Sequence, residues 1–116
     1  MELKTTVTKI RDNEVEVSFE SWHSKYPVVW RLVRYADRIA VAKPGRCGNF
    51  NLSYAWICNF PLNCYSKKIL AAISPHIEGQ YLPDNPTDLQ LALYRAHTDW
   101  AETVAKFLMK VRKEML

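Results

Sequence analysis

Two periodicities divide this chain. Up to Phe60 apolar side chains tend to recur at every second position, and from Tyr65 onward they recur every third or fourth. The first spacing lines one face of a strand and the second one face of a helix.

In the first part, Leu3, Thr5 and Val7 alternate with polar neighbours, and Val15, Val17 and Phe19 alternate with Glu14, Glu16, Ser18 and Glu20. Asp12 and Asn13 between them tolerate the positive φ of a tight turn, so residues 2 to 20 are expected to form a β-hairpin with an acidic outer face on its second strand. Val28 to Tyr35 is rich in β-branched and aromatic side chains and, through Ala36, Asp37 and Arg38, turns into Ile39 to Lys43. This reads as a second hairpin. Pro44, Gly45 and Gly48 then predict a long loop over residues 44 to 51. Leu52, Tyr54, Trp56, Cys58 and Phe60 alternate with Ser53, Ala55, Ile57 and Asn59, the clearest strand pattern in the chain, and Pro61 ends it for want of an amide hydrogen.

In the second part, Ile69, Leu70, Ala72 and Ile73 predict a helix from Tyr65 to Ser74, stopped by Pro75. Residues 76 to 85 read as a connection. A long helix is expected from Pro86 to Leu116, with Asn85 as N-cap, Pro86 in the first position and Asp88 facing the positive end of the dipole. Its apolar stripe runs through Leu89, Leu93, Ala96, Trp100, Val104, Phe107, Val111 and Met115. Strands followed by helices predict an α+β fold, with an antiparallel sheet of four to five strands covered on one side by the short helix and the long C-terminal one. Trp56 and Phe60 from the sheet are expected to meet Leu93, Trp100 and Phe107 in the core.

That last helix raises a difficulty of length. Its 31 residues would span about 46 Å, whereas a compact domain of this size is about 35 Å across. The helix is therefore expected to bend near His97, Thr98 and Asp99 or to project at its end. In the second case Lys110, Val111 and Met115 would form a self-association surface and the protein a homodimer.

Composition adds little to this picture. The 116 residues, 48% hydrophobic and 24% charged, suit a single domain over residues 1 to 116. Neither a secretory leader nor a membrane-spanning run is evident, which gives the expectation of a cytoplasmic protein without membrane contact. Charge is more informative. Residues 22 to 68 hold eight basic side chains and one acidic, so the middle of the chain carries all of the net +4. This predicts a basic surface for an acidic partner.

Candidate chemistry is sparse. Cys47, Cys58 and Cys64 with His76 or His23 could in principle bind zinc, but no two of the cysteines are close in sequence, so no metal is expected. A thiol nucleophile such as Cys47 would need His76 or His97 beside it, and no nucleophile elbow or phosphate-cradling glycine loop accompanies them. No catalytic residue and no cofactor are expected. Four tryptophans and six tyrosines, together with the arginines, instead provide the side chains that dominate binding hot spots.

These features favour a small non-enzymatic binding protein acting through protein-protein interaction, of the kind that phages and mobile elements encode as inhibitors or adaptors. Its partner would be a larger protein or nucleoprotein complex with an acidic surface, contacted by Arg31, Arg34, Tyr35, Arg38, Lys43 and Arg46. The alternative is a nucleic-acid-binding accessory protein that uses the basic and aromatic segment 22 to 68 to neutralise phosphates and stack on bases.

Overall fold

A computed structural model of the chain describes residues 2 to 22, 24 to 47, 51 to 77 and 82 to 116, without the side chains of residues 45 to 47 and 51 to 54. Five strands, β1 (Thr5–Arg11), β2 (Glu14–Phe19), β3 (Val28–Arg34), β4 (Arg38–Cys47) and β5 (Asn51–Pro61), precede helices α1 (Ser66–Ile73) and α2 (Asp88–Met115). The strands form one antiparallel meander in the order β1-β2-β3-β4-β5, the α+β arrangement expected from the change of period.

Register follows the alternation of the sequence. Val15 pairs with Leu32, Val17 with Trp30 and Phe19 with Val28, which puts the apolar residues of β2 and β3 on one face. There they join Ile39, Val41 and Phe60, and the helices lay Ile69, Ile73, Trp100, Val104 and Leu108 over them. Phe19 packs edge-on to Trp30 with ring centroids 5.2 Å apart, an arrangement the ring quadrupoles favour. The Trp100 indole N–H donates to the carbonyl of Glu20 at 2.8 Å, fastening α2 to the end of β2. β1 stays exposed along its whole length at the sheet edge.

Three expectations change. The loop foreseen over residues 44 to 51 is mostly strand, since β4 runs through Pro44 and Gly45 to Cys47, paired with β5. Proline is tolerated there because β4 pairs with β3 only as far as Ala42, leaving Pro44 with one neighbouring strand. Second, α2 begins at Asp88 with Thr87, not Asn85, as its cap. The Thr87 side chain accepts from the Gln90 amide at 3.1 Å and the Gln90 side chain accepts from the Thr87 amide at 2.9 Å. This reciprocal box satisfies two otherwise free donors.

The third concerns the length of α2. It is helical without interruption for 28 residues, about 42 Å at ~1.5 Å per residue, and the molecule accommodates it by being 48 Å long. There is no break at His97, whose ring instead packs against Trp22 and Trp100 with centroids 5.9 and 5.6 Å away. The end with the exposed apolar residues is also the opposite of the one expected. Val111 is buried and Met115 packs against the core, while Leu89 and Leu93 are 69% and 42% exposed. Of the self-association surface placed at Lys110, Val111 and Met115, Val111 and Met115 thus turn inward and only Lys110 is exposed, because α1 packs against α2 while the first turns of α2 expose Leu89 and Leu93. Leu93 is accordingly no core residue.

Candidate functional site

The helices cover one face of the sheet, so the other face is what the fold leaves for recognition. Its residues can be read from the register: Glu14, Glu16 and Ser18 of β2, Arg31 and Val33 of β3, and Ala40 and Ala42 of β4 alternate with the core positions. On β5 the same rule needs one correction. Val41 pairs with Cys58 while the next residue, Ala42, pairs with Trp56, so Ile57 is an extra residue and forms a β-bulge. A bulge shifts the phase of alternation by one. Phe60 therefore faces the core while Trp56, four residues earlier, faces outward at 58% exposure. The expectation that both rings meet in the core fails for Trp56 at this single residue.

Trp56 does not stand alone. Tyr35 lies just past the end of β3, and its amide donates to the Arg38 carbonyl at 2.8 Å, closing the two-residue turn at Ala36 and Asp37. The turn sets Tyr35 and Arg38 side by side, with the guanidinium 4.6 Å from the ring centroid, a cation–π stack. The Tyr35 ring in turn meets the Trp56 ring, centroids 6.3 Å apart and inclined at 60°. Ala40 and Ala42 are buried although no further layer of the described residues covers this face. Small side chains at those two positions let the larger neighbours lie over the sheet. A shallow cleft of about 320 Å³ runs from Tyr35 and Arg38 across Ala40 to Trp56 and Asn59.

Beside this cluster several charges are paired. Arg31 lies opposite Glu16 in the β2–β3 register and reaches Glu14 at 2.7 Å and Glu16 at 3.4 Å. Arg11 also approaches Glu14 at 3.5 Å, Lys9 pairs with Asp12 at 3.5 Å, and Arg38 pairs with Asp37 at 3.0 Å. The acidic side chains come from the first hairpin and from the Ala36–Asp37 turn. Of the eight basic side chains of residues 22 to 68, Arg31 is thus paired with carboxylates from another segment and Arg38 with one from within it.

Of the six residues expected to contact a partner, the five whose side chains are described do not share one face of the sheet. Arg31, Tyr35 and Arg38 share the outer face, where Arg31 is held by its two carboxylates. Arg34, two positions beyond buried Leu32, and Lys43, two beyond buried Val41, belong by alternation to the helix side. Lys43 lines a cleft of about 440 Å³ there with Trp22, Trp30, Trp100 and His76. The Arg46 side chain lies outside the described residues. The residue that the sequence reading missed, Trp56, is the most exposed tryptophan of those described. The alternating alanines of β4 were the one local hint of rings lying across that face.

The chain matches none of the protein-family models, curated proteins or solved structures with which it was compared. Chemistry must be read from the geometry alone. Among the described residues no three His, Cys, Asp or Glu side chains gather where a metal ion could sit. Cys64 is buried and Cys58 half-buried, and burial pushes the Cys58 thiol up to about 11 from an ordinary 9.0. A thiol so disposed is a poor nucleophile at neutral pH. Cys47 and His23, the other cysteine and histidine weighed for metal, fall outside the described side chains. Among the described residues no helix is long and apolar enough to cross a membrane.

Proposed function

We propose that this chain is a non-enzymatic recognition module, an adaptor or inhibitor, that captures another protein on the outer face of its sheet. The contact centres on Trp56, Tyr35 and Arg38. The observation that carries this reading is the stacked cluster itself: the Tyr35 ring meets both the Trp56 ring and the Arg38 guanidinium on the sheet face opposite the helices. These residue types supply most of the binding energy at protein interfaces, and their prior packing lowers the ordering cost of binding. The paired charges around them favour a partner with mixed polarity at its rim over the strongly acidic one that the sequence implied.

The pairing of Arg31 and Arg38 makes those two side chains less suited to the nucleic-acid alternative, which requires cations free to replace counterions on phosphates. Quantitative mass spectrometry of partners retained by the wild type and by Trp56→Ala and Arg38→Glu tests the proposal. A bona fide partner is lost from both variants while their circular dichroism is unchanged. Retention of every partner by both variants removes the outer face from consideration. Steeply salt-dependent binding to single- or double-stranded probes in fluorescence anisotropy would favour the nucleic-acid reading instead.

A second reading concerns self-association, transferred to the opposite end of α2. Leu89, Leu93 and Tyr94 are exposed large hydrophobics on the first two turns, suited to packing against a second copy. Sedimentation velocity on Leu89→Glu/Leu93→Glu tests it, since a dimer formed through this face is lost in the double variant.

A further inference from the structure

β1 stands first in the strand order and has a neighbouring strand on one side only. All of Thr5 to Arg11 is exposed, so among the described residues neither the helices nor another strand covers it.

The ladder shows which of its backbone groups are already bonded. In an antiparallel pair the N–H and C=O of one residue point to the same side, and those of the next residue point to the other. The Arg34 amide donates to the Asn13 carbonyl at 2.8 Å, which turns Asn13, Val15, Val17 and Phe19 toward β3. Glu16, Ser18 and Glu20 are left for β1. The Glu20 amide accordingly donates to the Lys4 carbonyl at 3.2 Å. With Thr6 opposite Ser18 and Thr8 opposite Glu16, the backbone of Lys4, Thr6 and Thr8 faces β2. That of Thr5, Val7 and Lys9 faces the open edge.

An open edge is a template for a further strand, and proteins commonly blunt it with proline or a bulge. β1 holds no proline. Its one register shift, at Ile10, lies beyond Thr5 to Lys9. Thr5, Thr6, Val7 and Thr8 are all β-branched, a shape that suits strands, and Val7 is 43% exposed.

This stretch is complementary to itself. When a second copy lies antiparallel about a two-fold axis through Val7, the outward backbone groups of Thr5, Val7 and Lys9 meet those of Lys9, Val7 and Thr5 of that copy. Val7 then packs on Val7 of the second copy and Thr6 on its Thr8. Directly opposed β-branched and threonine pairs stabilise a sheet, and like charges so placed destabilise it. Lys9, the one cation between Thr5 and Lys9, lies opposite a threonine in this register and apart from its own copy.

We infer that β1 pairs with β1 of a second copy, making one sheet continuous across a two-fold dimer. Opposed residues of an antiparallel pair share a face, so both helical layers fall on one side and both Trp56 clusters on the other. The surface is distinct from the first turns of α2, and the inference stands whether or not the outer face captures a protein.

The test is sedimentation velocity on the full-length protein over a range of concentrations, with amide hydrogen exchange measured by NMR on the same samples. A concentration-dependent dimer is expected. As it forms, exchange at Thr5, Val7 and Lys9 should slow by at least about tenfold, while Thr6 and Thr8, bonded to β2, are protected at every concentration. Val7→Pro removes the amide on the axis without touching the β1–β2 ladder, and proline is compatible with an edge strand. It should weaken dimerisation by at least about tenfold, the effect of losing hydrogen bonds at the axis. Val7→Lys keeps the backbone but opposes two cations, should act in the same direction, and decides the matter if the proline variant does not fold. Leu89→Glu/Leu93→Glu should leave this dimer unchanged. A wild type that stays monomeric at NMR concentrations overturns the inference and leaves the edge to an extended segment of a different protein. A dimer that Val7→Lys leaves intact, or one lost in the Leu89→Glu/Leu93→Glu variant alone, overturns it equally.

Discussion

Trp56 and Trp100 are the same residue type in opposite circumstances. Trp100 is buried and its indole N–H is bonded to Glu20. Trp100→Phe should cost about 1 to 2 kcal/mol in urea unfolding, for a lost hydrogen bond and a small cavity. Trp56→Ala should cost about 1 kcal/mol or less, because the ring is mostly solvated, while lowering partner affinity by at least about tenfold. Cys58 offers a chemical check. Its raised value, about 11 against 9.0, leaves it roughly a hundredfold less thiolate than an ordinary cysteine at pH 8, so iodoacetamide should label it slowly in the folded protein and quickly in urea. Because the folded state favours the neutral thiol, that preference is fully present below pH 9 and is lost as pH rises toward 11. Cys58→Ala should flatten the fall in stability across that window. The two tryptophans also mark the limit of reading residues singly: both sit in regular apolar patterns, and only pairing across strands separates them.

At the level of elements, α2 is a single helix with two unlike halves. Its C-terminal half buries Val104, Leu108 and Val111, and its N-terminal turns expose Leu89 and Leu93. Leu108→Ala should therefore destabilise by about 3 kcal/mol, whereas Leu89→Ala should change stability by about 0.5 kcal/mol or less. Thr87→Ala should cost about 1 kcal/mol by opening the capping box. Truncation after Lys106 should unfold the protein, visible as loss of cooperative thermal melting, because it removes core side chains and not a spare interface. The continuous apolar stripe foretold the helix, but not which part of it finds a cover. Boundaries were legible where local chemistry sets them, as with the Pro61 and Pro75 stops, and less so where a neighbouring strand decides, as with β4 passing through Pro44.

For the molecule as a whole, the five strands and two helices segregate along the chain, and that order dictates a meander with helices on one side. Two cations of the basic middle segment are paired on the outer face, because the first hairpin folds Glu14 and Glu16 against Arg31 and Asp37 meets Arg38. Binding through the outer face should accordingly depend only weakly on ionic strength. A Kd that changes less than about threefold between low and physiological salt would agree with contacts led by aromatic rings, and a loss of about a thousandfold would indicate phosphate neutralisation.

Taken by itself, the sequence determined the α+β class, the two hairpins, the existence of both helices and most of the core, because those depend on period, turn chemistry and helix punctuation within a few residues. The tertiary structure alone decided which face Trp56 occupies, which half of α2 is bare and which cations are neutralised. Each of these depends on a contact between distant segments. One extra residue at Ile57 is enough to reverse a face, since a strand carries only two.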